Sequence, residues 1–207
     1  DSGKATVTGT PIRKSLQEGN ADRGKAFLGI DSSEPIILVF GGSLGAQAIN
    51  QQVRNTLTSL QDKYVIVHVV GAGNIDEAHS LNPRYIQKEF LLDEFGDVLA
   101  AADLVVARSG ANTIYELLAT RKPHILIPLS ARASRGDQLE NARAFTEAGY
   151  SRMIKEEDLG DELFLGEIDR AYRDRSSIAS RLAEFEIRDS VLMISDIVIE
   201  IAGGKMT

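Results

Sequence analysis

The sequence predicts an α/β protein built on a doubly wound, Rossmann-like parallel sheet with flanking helices. Short apolar runs alternate with amphipathic helical stretches, an order typical of right-handed βαβ units. Ile36–Phe40 (IILVF) is apolar without interruption, as in a strand buried on both faces of a parallel sheet. A glycine-rich turn at 41–46 follows this strand directly. In such sheets ligands bind beyond the carboxyl ends of the strands, so functional residues are expected in the strand-to-helix turns.

The remaining elements follow from hydrophobic periodicity. The helix after the glycine-rich turn carries Ile49, Val53, Leu57 and Leu60 on one side. Further strands are predicted at 64–70, 85–89, 104–107 and 124–127, and further helices at 94–101, 112–120 and 137–148. After about residue 156 only helical patterns remain, ending in the apolar segment 187–202. No repeat or linker interrupts the pattern, so we expect a single domain over 1–207.

Composition narrows the function classes. The chain has 207 residues and a formal net charge of −7 with no basic run, which argues against a nucleic-acid partner. It has no cysteine, so disulfides and thiolate metal sites are excluded and a cytoplasmic location is expected. No apolar run approaches the roughly 20 residues that span a bilayer. The chain begins with Asp1, which we interpret as a piece of a longer protein, although processing or tag removal would give the same start.

The turn at 41–46 (GGSLGA) is the first candidate ligand site. Glycines such as Gly42 let the backbone approach a ligand, and the following helix start offers free N–H groups to a phosphate. The alternative is a plain tight turn in which Ser43 caps the helix. A P-loop requires a lysine that is absent here, and a dinucleotide fingerprint requires glycine where Ser43 stands.

The turn at 108–113 (RSGANT) and the helix after it form the second candidate. Glu116 should point away from the face that carries Ile114, Leu117 and Leu118. A carboxylate one turn into such a helix can accept both hydroxyl groups of a ribose. The alternative is a solvated Glu116 that only interacts favourably with the helix N-terminus.

The third candidate is the polar segment 130–141, which leads into a helix that begins near Asp137 and Gln138. Their side chains could meet sugar hydroxyl groups, or Asp137 could simply cap the helix. The histidines make poor catalytic candidates. His68 lies within an apolar strand and is interpreted as a core residue, and His79 and His124 have no obvious partner. No pattern of carboxylates or histidines marks a metal site.

Five motifs in order resemble those of MurG-type N-acetylglucosaminyltransferases: TGTPIR at 8–13, GGSLGAQAIN at 41–50, EFLLDE at 89–94, ARSGANTIYELLA at 107–119 and SRGDQLENARAF at 134–145. The resemblance covers residues 7–158. It implies the GT-B fold, in which two Rossmann-like domains face each other across a cleft and the C-terminal domain binds the nucleotide-sugar donor. This chain is similar to that donor-binding half, and the N-terminal acceptor domain is absent from it.

The resemblance also implies roles for individual residues. Arg13 would approach the donor's phosphates, Gly42 and Ser43 would form the diphosphate turn, and the backbone of Leu91 would meet the uracil. Ala111, Asn112 and Thr113 would lie at the phosphates, Glu116 would bind the ribose, and Asp137 and Gln138 would face the sugar. Asp137 departs from the Gln-Gln pair that many members carry there. No catalytic residue is expected in this chain.

The activity implied by the resemblance is transfer of N-acetylglucosamine from UDP-N-acetylglucosamine to the undecaprenyl-linked muramoyl-pentapeptide, with inversion and without a metal or other cofactor. The intact enzyme would then be peripheral on the inner face of the cell membrane. Another UDP-sugar GT-B enzyme, either a glycolipid glycosyltransferase or a UDP-N-acetylglucosamine 2-epimerase, is one alternative. A non-catalytic nucleotide-sugar-binding subunit is another.

The segment 187–202 has more apolar surface than one helix face can bury, as expected of a helix that crosses to the absent domain. In this chain alone we expect it to be unusually exposed and able to support self-association. An ordinary core helix, docked on its own domain, is the alternative.

Overall fold

Six parallel strands form one sheet among residues 5–42, 45–130 and 136–203, which are the residues that the computed structural model describes. In chain order the strands are β1 Ile36–Phe40, β2 Val65–Val69, β3 Tyr85–Lys88, β4 Leu104–Ala107, β5 His124–Leu126 and β6 Arg152–Met153. Their order across the sheet is β3-β2-β1-β4-β5-β6, and every neighbouring pair is parallel. The predicted α/β fold class is confirmed.

The helices are α1 Lys14–Gln17, α2 Ala21–Leu28, α3 Gln47–Gln61, α4 Phe95–Ala101, α5 Ala111–Ala119, α6 Asp137–Glu147, α7 Asp161–Arg173, α8 Arg175–Ala183 and α9 Ser190–Gly203. Short 3₁₀ turns occur at Glu77–His79 and Glu156–Asp158. Two hydrophobic clusters cover the two faces of the sheet: one includes buried residues of α4 and α5, and the other includes those of α3 and α7. The sheet is therefore covered on both sides, as its apolar strands require.

Most predicted elements lie where periodicity placed them, but some bounds differ and some elements were missed. The strands predicted at 64–70, 85–89 and 124–127 are each shorter by one or two residues than expected. Helices α1 and α2 and strand β6 were not predicted. β6 has only two residues and is defined by its pairing with β5, so it carries no periodic signal of its own. The unpredicted α2 is fixed by long-range polar contacts, since Arg23 binds both carboxylate oxygens of Asp97 in α4 at 2.7 and 2.8 Å.

Helix α9 begins at Ser190, three residues later than the predicted segment, because the Asp189 carboxylate accepts a hydrogen bond from the Leu192 N–H at 3.0 Å and caps the helix. The expected exposure is confirmed for Val191, Leu192, Ile194, Val198 and Ile201, whose exposed fractions run from 38% to 62%, whereas Ile197 is half-buried. Over the described part of the chain, no helix is long and apolar enough to cross a membrane.

Candidate functional site

The strand order changes direction between β1 and β4, which are neighbours in the sheet. Helix α3 leaves β1 towards β2, whereas α5 leaves β4 towards β5. The two turns after these strands therefore lead in opposite directions, and a crevice is expected between them at the carboxyl edge. In open α/β sheets such a switch point is the usual ligand site.

The glycine-rich turn after β1 forms one wall of this crevice. Gly42 has a φ of +100° and Gly45 a φ of +77°, values that non-glycine residues rarely adopt. A Cβ at Gly45 would lie 2.1 Å from the carbonyl oxygen of Val70, so only glycine fits there. Ser43, predicted to bind diphosphate, lies outside the described residues. The N-cap residue of α3 is Ala46, whose side chain makes no capping hydrogen bond.

The N-terminus of α5 forms the opposite wall. Its N-cap residue is Gly110, which has no side chain to satisfy the first N–H groups. The first helical hydrogen bond runs from the Ile114 N–H to the Gly110 carbonyl at 3.1 Å. Within the described ranges, the N–H groups of Ala111, Asn112 and Thr113 donate to no protein acceptor. These three groups, at the positive end of the helix dipole, are available to an anion.

Glu116 and Arg13 meet beside this helix start. Ile114, Leu117 and Leu118 are fully buried against the sheet, and Glu116 lies off that face with 20% of its side chain exposed. The Arg13 guanidinium donates from Nη2 to Glu116 Oε1 at 3.4 Å. The pair joins two residues for which the sequence predicts different roles in donor binding and which are 103 positions apart in the chain. Glu116 therefore has a charged partner in addition to its position near the helix N-terminus.

The start of α6 lies next to the same turn. Its N-cap is Gly136 with a φ of +89°, so Asp137 is the first helical residue and the alternative in which it caps the helix is wrong. Asp137 is exposed. Gln138 is half-buried and uses its Oε1 atom to accept a hydrogen bond from the Leu129 N–H at 3.1 Å. That contact was not predicted, because sequence patterns contain no signal for it.

Leu91 lies between β3 and α4 and packs its half-buried side chain against the core cluster of α4 and α5. Within the part of the chain that the structure describes, its backbone N–H and carbonyl make no hydrogen bond to protein. The neighbouring Phe90 and Leu92 are 47% and 75% exposed. A nucleobase that needs one hydrogen-bond donor and one acceptor could therefore bind the Leu91 backbone.

A largely buried ion pair that sequence reasoning missed lies next to these turns. Arg108, the residue after β4, pairs with Glu156, and their side chains are 11% and 18% exposed. Arg108 Nη1 also donates to the Ile127 carbonyl at 3.1 Å. The guanidinium thus joins the carboxyl ends of β4 and β5 to the segment after β6.

His68 is a satisfied core residue, as predicted. It is fully buried, with Nδ1 2.9 Å from the Tyr85 hydroxyl and Nε2 3.0 Å from Asn50 Oδ1. Burial lowers the pKa of His68 to about 3, with the nearby Arg54 charge adding to the shift. A histidine with that pKa stays neutral and enclosed at neutral pH.

The other two histidines do have partners, contrary to expectation. His124 Nε2 lies 2.6 Å from Ser151 Oγ, and burial lowers the pKa of His124 to about 4. His79 stands 3.9 Å from the Asp76 carboxylate. Neither histidine belongs to the three turns at the carboxyl edge. Across residues 5–42, 45–130 and 136–203, no group of three His, Asp or Glu residues is arranged to hold a metal ion.

The strand order and the glycine-bearing helix starts on both sides of the switch point define a Rossmann-like domain, the class that binds its ligands at this edge. The sequence model of the glycosyltransferase family 28 C-terminal domain matches residues 36–192. This match covers most of the chain, and the chain belongs to that family. The resemblance seen in the motifs is confirmed.

Two curated relatives illustrate the similarity. The chain is 41% identical over 195 residues to the UDP-N-acetylglucosamine–N-acetylmuramyl-(pentapeptide) pyrophosphoryl-undecaprenol N-acetylglucosamine transferase of Clostridium botulinum (strain Loch Maree). It is 44% identical over 195 residues to the protein of the same name from Clostridium perfringens (strain ATCC 13124). Both alignments cover 94% of this chain and 55% of the relative. The chain therefore spans about half the length of the curated relatives it matches.

Solved structures share the fold. The crystal structure of Acinetobacter baumannii MurG matches 95% of this chain and 57% of its own, with a TM-score of 0.70 and 19% identity. The glycosyltransferase of kitacinnamycin matches 88% of this chain and 44% of its own, with a TM-score of 0.69 and 21% identity. At these identities the likeness concerns the fold alone.

Proposed function

We propose that this chain is the donor-binding half of a hexosyltransferase that uses UDP-N-acetylglucosamine in peptidoglycan synthesis. The observation that carries the proposal is the open N-terminus of α5 at the switch point, with the Arg13–Glu116 pair beside it. An anion site next to a carboxylate suits a ligand with a diphosphate at one end and a ribose diol beside it.

Each part of the donor has a proposed partner. The diphosphate binds the turn at Gly42 and Ser43 and the N–H groups of Ala111, Asn112 and Thr113, while Arg13 neutralises its charge. Glu116 accepts hydrogen bonds from the ribose hydroxyl groups. The backbone of Leu91 binds the uracil edge, and Asp137 and Gln138 face the N-acetylglucosamine.

In the proposed reaction the acceptor is the undecaprenyl-diphospho-muramoylpentapeptide. An acceptor hydroxyl oxygen forms a bond to the anomeric carbon of the sugar with inversion, while the bond from that carbon to the UDP oxygen breaks. UDP leaves with the bonding electron pair, and the hydroxyl proton passes to a base in the other half of the intact enzyme. The helix N-termini of this chain stabilise the charge that develops on UDP, without a metal or cofactor. We place the intact enzyme at the inner, cytoplasmic face of the cell membrane.

Calorimetric titration of the 207-residue chain tests the proposal. UDP and UDP-N-acetylglucosamine should bind in the presence of a chelator, UDP-glucose should bind more weakly than UDP-N-acetylglucosamine, and NAD should not bind. Binding of NAD but not of UDP would reject the proposed ligand class. Binding that requires Mg²⁺ or Mn²⁺ would reject the metal-free site.

Two neighbouring cations provide a matched pair for the phosphate contact. Arg13 is 61% exposed and reaches Glu116, whereas Lys14 is 85% exposed and pairs with Glu18. Arg13→Ala should weaken UDP binding and leave uridine binding nearly unchanged, while Lys14→Ala should affect neither. Equal effects of the two substitutions would show that only general surface charge matters.

A further inference from the structure

A buried hydroxyl group ties the second and third turns of the site together. Ser109 is fully buried, and its Oγ donates a hydrogen bond of 2.8 Å to the Gln138 carbonyl in the first turn of α6. The Asn141 side chain donates back from Nδ2 to the Ser109 carbonyl at 3.3 Å. The turn after β4 and the first turn of α6 are therefore joined in both directions.

Two further contacts hold the segment after β5 in the same assembly. Gln138 Oε1 accepts a hydrogen bond from the Leu129 N–H at 3.1 Å. Arg108, which precedes Ser109, binds the Ile127 carbonyl and pairs with Glu156. The polar contacts of Arg108 and Ser109 thus reach the carboxyl end of β5 and the start of α6.

These contacts matter because the first turn of α6 has little apolar packing. Ala142 is the one fully buried residue of α6, all of which is described, whereas α5 buries Ile114, Leu117 and Leu118 against the sheet. Near the end of α6, the half-buried Phe145 packs against the same core cluster, and its ring centroid lies 5.9 Å from that of Tyr115 in α5. These apolar contacts of the 11-residue helix lie in its middle and at its end, so they leave its first turn without an apolar anchor in the core. The position of the first turn of α6 must therefore depend more strongly on its hydrogen bonds than the position of α5 does.

We propose that Ser109 is a positioning residue that sets the start of α6 relative to the N-terminus of α5, and so determines affinity for the sugar rather than for the nucleoside diphosphate. This inference rests on the proposed function, in which Asp137 and Gln138 face the sugar and α5 binds the diphosphate. Ligand contacts require placement within about 0.5 Å, so a small shift of α6 is enough to weaken them. Arg108 supports the same arrangement from the β5 side.

The test compares two ligands that differ only in the sugar. Ser109→Ala removes the hydroxyl group and keeps the small side chain. Dissociation constants for UDP and for UDP-N-acetylglucosamine are measured by calorimetry with the wild-type chain and the variant. We expect the UDP value to change less than about twofold and the UDP-N-acetylglucosamine value to rise about tenfold, as loss of one buried hydrogen bond allows.

Thr56→Val is the matched control. Thr56 is 3% exposed, and its Oγ1 donates a 2.8 Å hydrogen bond to the Gln52 carbonyl within α3, so this variant loses a comparable buried bond away from α6. Its ratio of the two dissociation constants should equal that of the wild type. If Ser109→Ala does not fold, Asn141→Ala replaces it in the test, because this variant removes the weaker hydrogen bond and leaves the buried serine in place. It should shift the ratio of the two dissociation constants in the same direction.

The outcomes separate the two proposals. A wild-type chain that fails to bind UDP rejects the proposed function, and the positioning role falls with it. A wild-type chain that binds both ligands, combined with variants whose ratio is unchanged, rejects the positioning role alone. Equal weakening of both ligands also rejects it, because a merely structural hydroxyl group would affect the two ligands alike.

Discussion

Glu116 occupies a position where one carboxylate can serve two hydroxyl groups. It lies one turn into α5, off the buried face, and its partner Arg13 comes from a segment far away in the sequence. In the free chain the guanidinium balances the carboxylate charge, which would otherwise oppose a diphosphate close by. We infer that this pairing allows a diphosphate to bind although the Glu116 carboxylate lies at the edge of the site.

Replacing Glu116 with Ala is expected to weaken UDP binding by about 1.5–3 kcal/mol, the usual loss for a hydrogen bond to a charged group. Stability should change little, because the residues that anchor α5 are on its other face. Titration calorimetry gives the affinity, and circular dichroism checks the fold. Glu162→Ala, an exposed change in the first turn of α7, is the control. An unchanged UDP affinity in a folded Glu116→Ala chain would remove the ribose role.

The lowered pKa of His68 predicts how the stability of the folded chain depends on pH. Its pKa is about 3 in the folded chain, below the ordinary value near 6.5, so the unfolded chain binds an additional proton between these two pH values. The stability contributed by the neutral, buried imidazole is complete above pH 6.5 and falls as the pH is lowered towards 3. The expected loss is about 1.4 kcal/mol per pH unit in that window. His124, with a pKa of about 4, adds a similar loss over a narrower window.

Urea unfolding at pH 7 and pH 5 measures this effect in the wild-type chain and in His68→Gln. The variant should be less stable at pH 7, because the bonds to Tyr85 and Asn50 change, but its stability should fall less between the two pH values. Equal pH dependence in His68→Gln and wild type would contradict the assignment.

At the scale of elements, the sequence predicted the strands and helices that have a continuous or periodic hydrophobic pattern. It missed the features that depend on a contact with a residue far away in the chain. β1 and β4 were placed correctly because both faces of these strands are buried, so every residue is apolar. Strand β6 and the hydrogen bond from Ser109 to Gln138 were missed, because each depends on a contact with a residue about 27–29 positions away. Of the predicted site residues, Arg13 and Glu116 are brought together by such a contact as well.

Helix α9 presents apolar side chains on more than one side, and only Ser190 in it is fully buried. Exposed apolar area of this kind favours association. We therefore expect the chain to self-associate through α9 as its concentration rises. The double variant Val191→Ser and Val198→Ser, at positions that are 54% and 58% exposed, should shift the chain towards monomer in sedimentation velocity experiments.

Leu81→Ser is the control for that experiment, since Leu81 is 94% exposed but lies in a loop away from α9. It removes a similar apolar side chain and should leave the association unchanged. A chain that stays monomeric at every concentration would contradict self-association. The same would follow if Leu81→Ser had as large an effect as the α9 variant.

For the molecule as described, over 5–42, 45–130 and 136–203, the carboxyl edge offers a candidate donor site, and no histidine lies among its described residues. The two histidines whose pKa values are lowered, His68 and His124, are enclosed and remain neutral at neutral pH. His79 is the last residue of the 3₁₀ turn between β2 and β3 and is outside the three ligand turns. The relatives are nearly twice as long as the region that this chain matches. The acceptor site and the base are therefore proposed to lie in the part of the relatives that this chain does not match.

The purified 207-residue chain is accordingly expected to bind UDP-N-acetylglucosamine without transferring the sugar to the undecaprenyl-linked muramoyl-pentapeptide. Transfer is measured with radiolabelled donor and the lipid acceptor in detergent, and the full-length Clostridium perfringens relative serves as the positive control. Donor binding must be measured on the same sample, because a chain that binds nothing would be inactive for a different reason. Turnover by this chain with bound donor would mean that a residue described above acts as the base. The next step would then be to test the carboxylates at the carboxyl edge, beginning with Asp137, which is exposed where the sugar is proposed to lie.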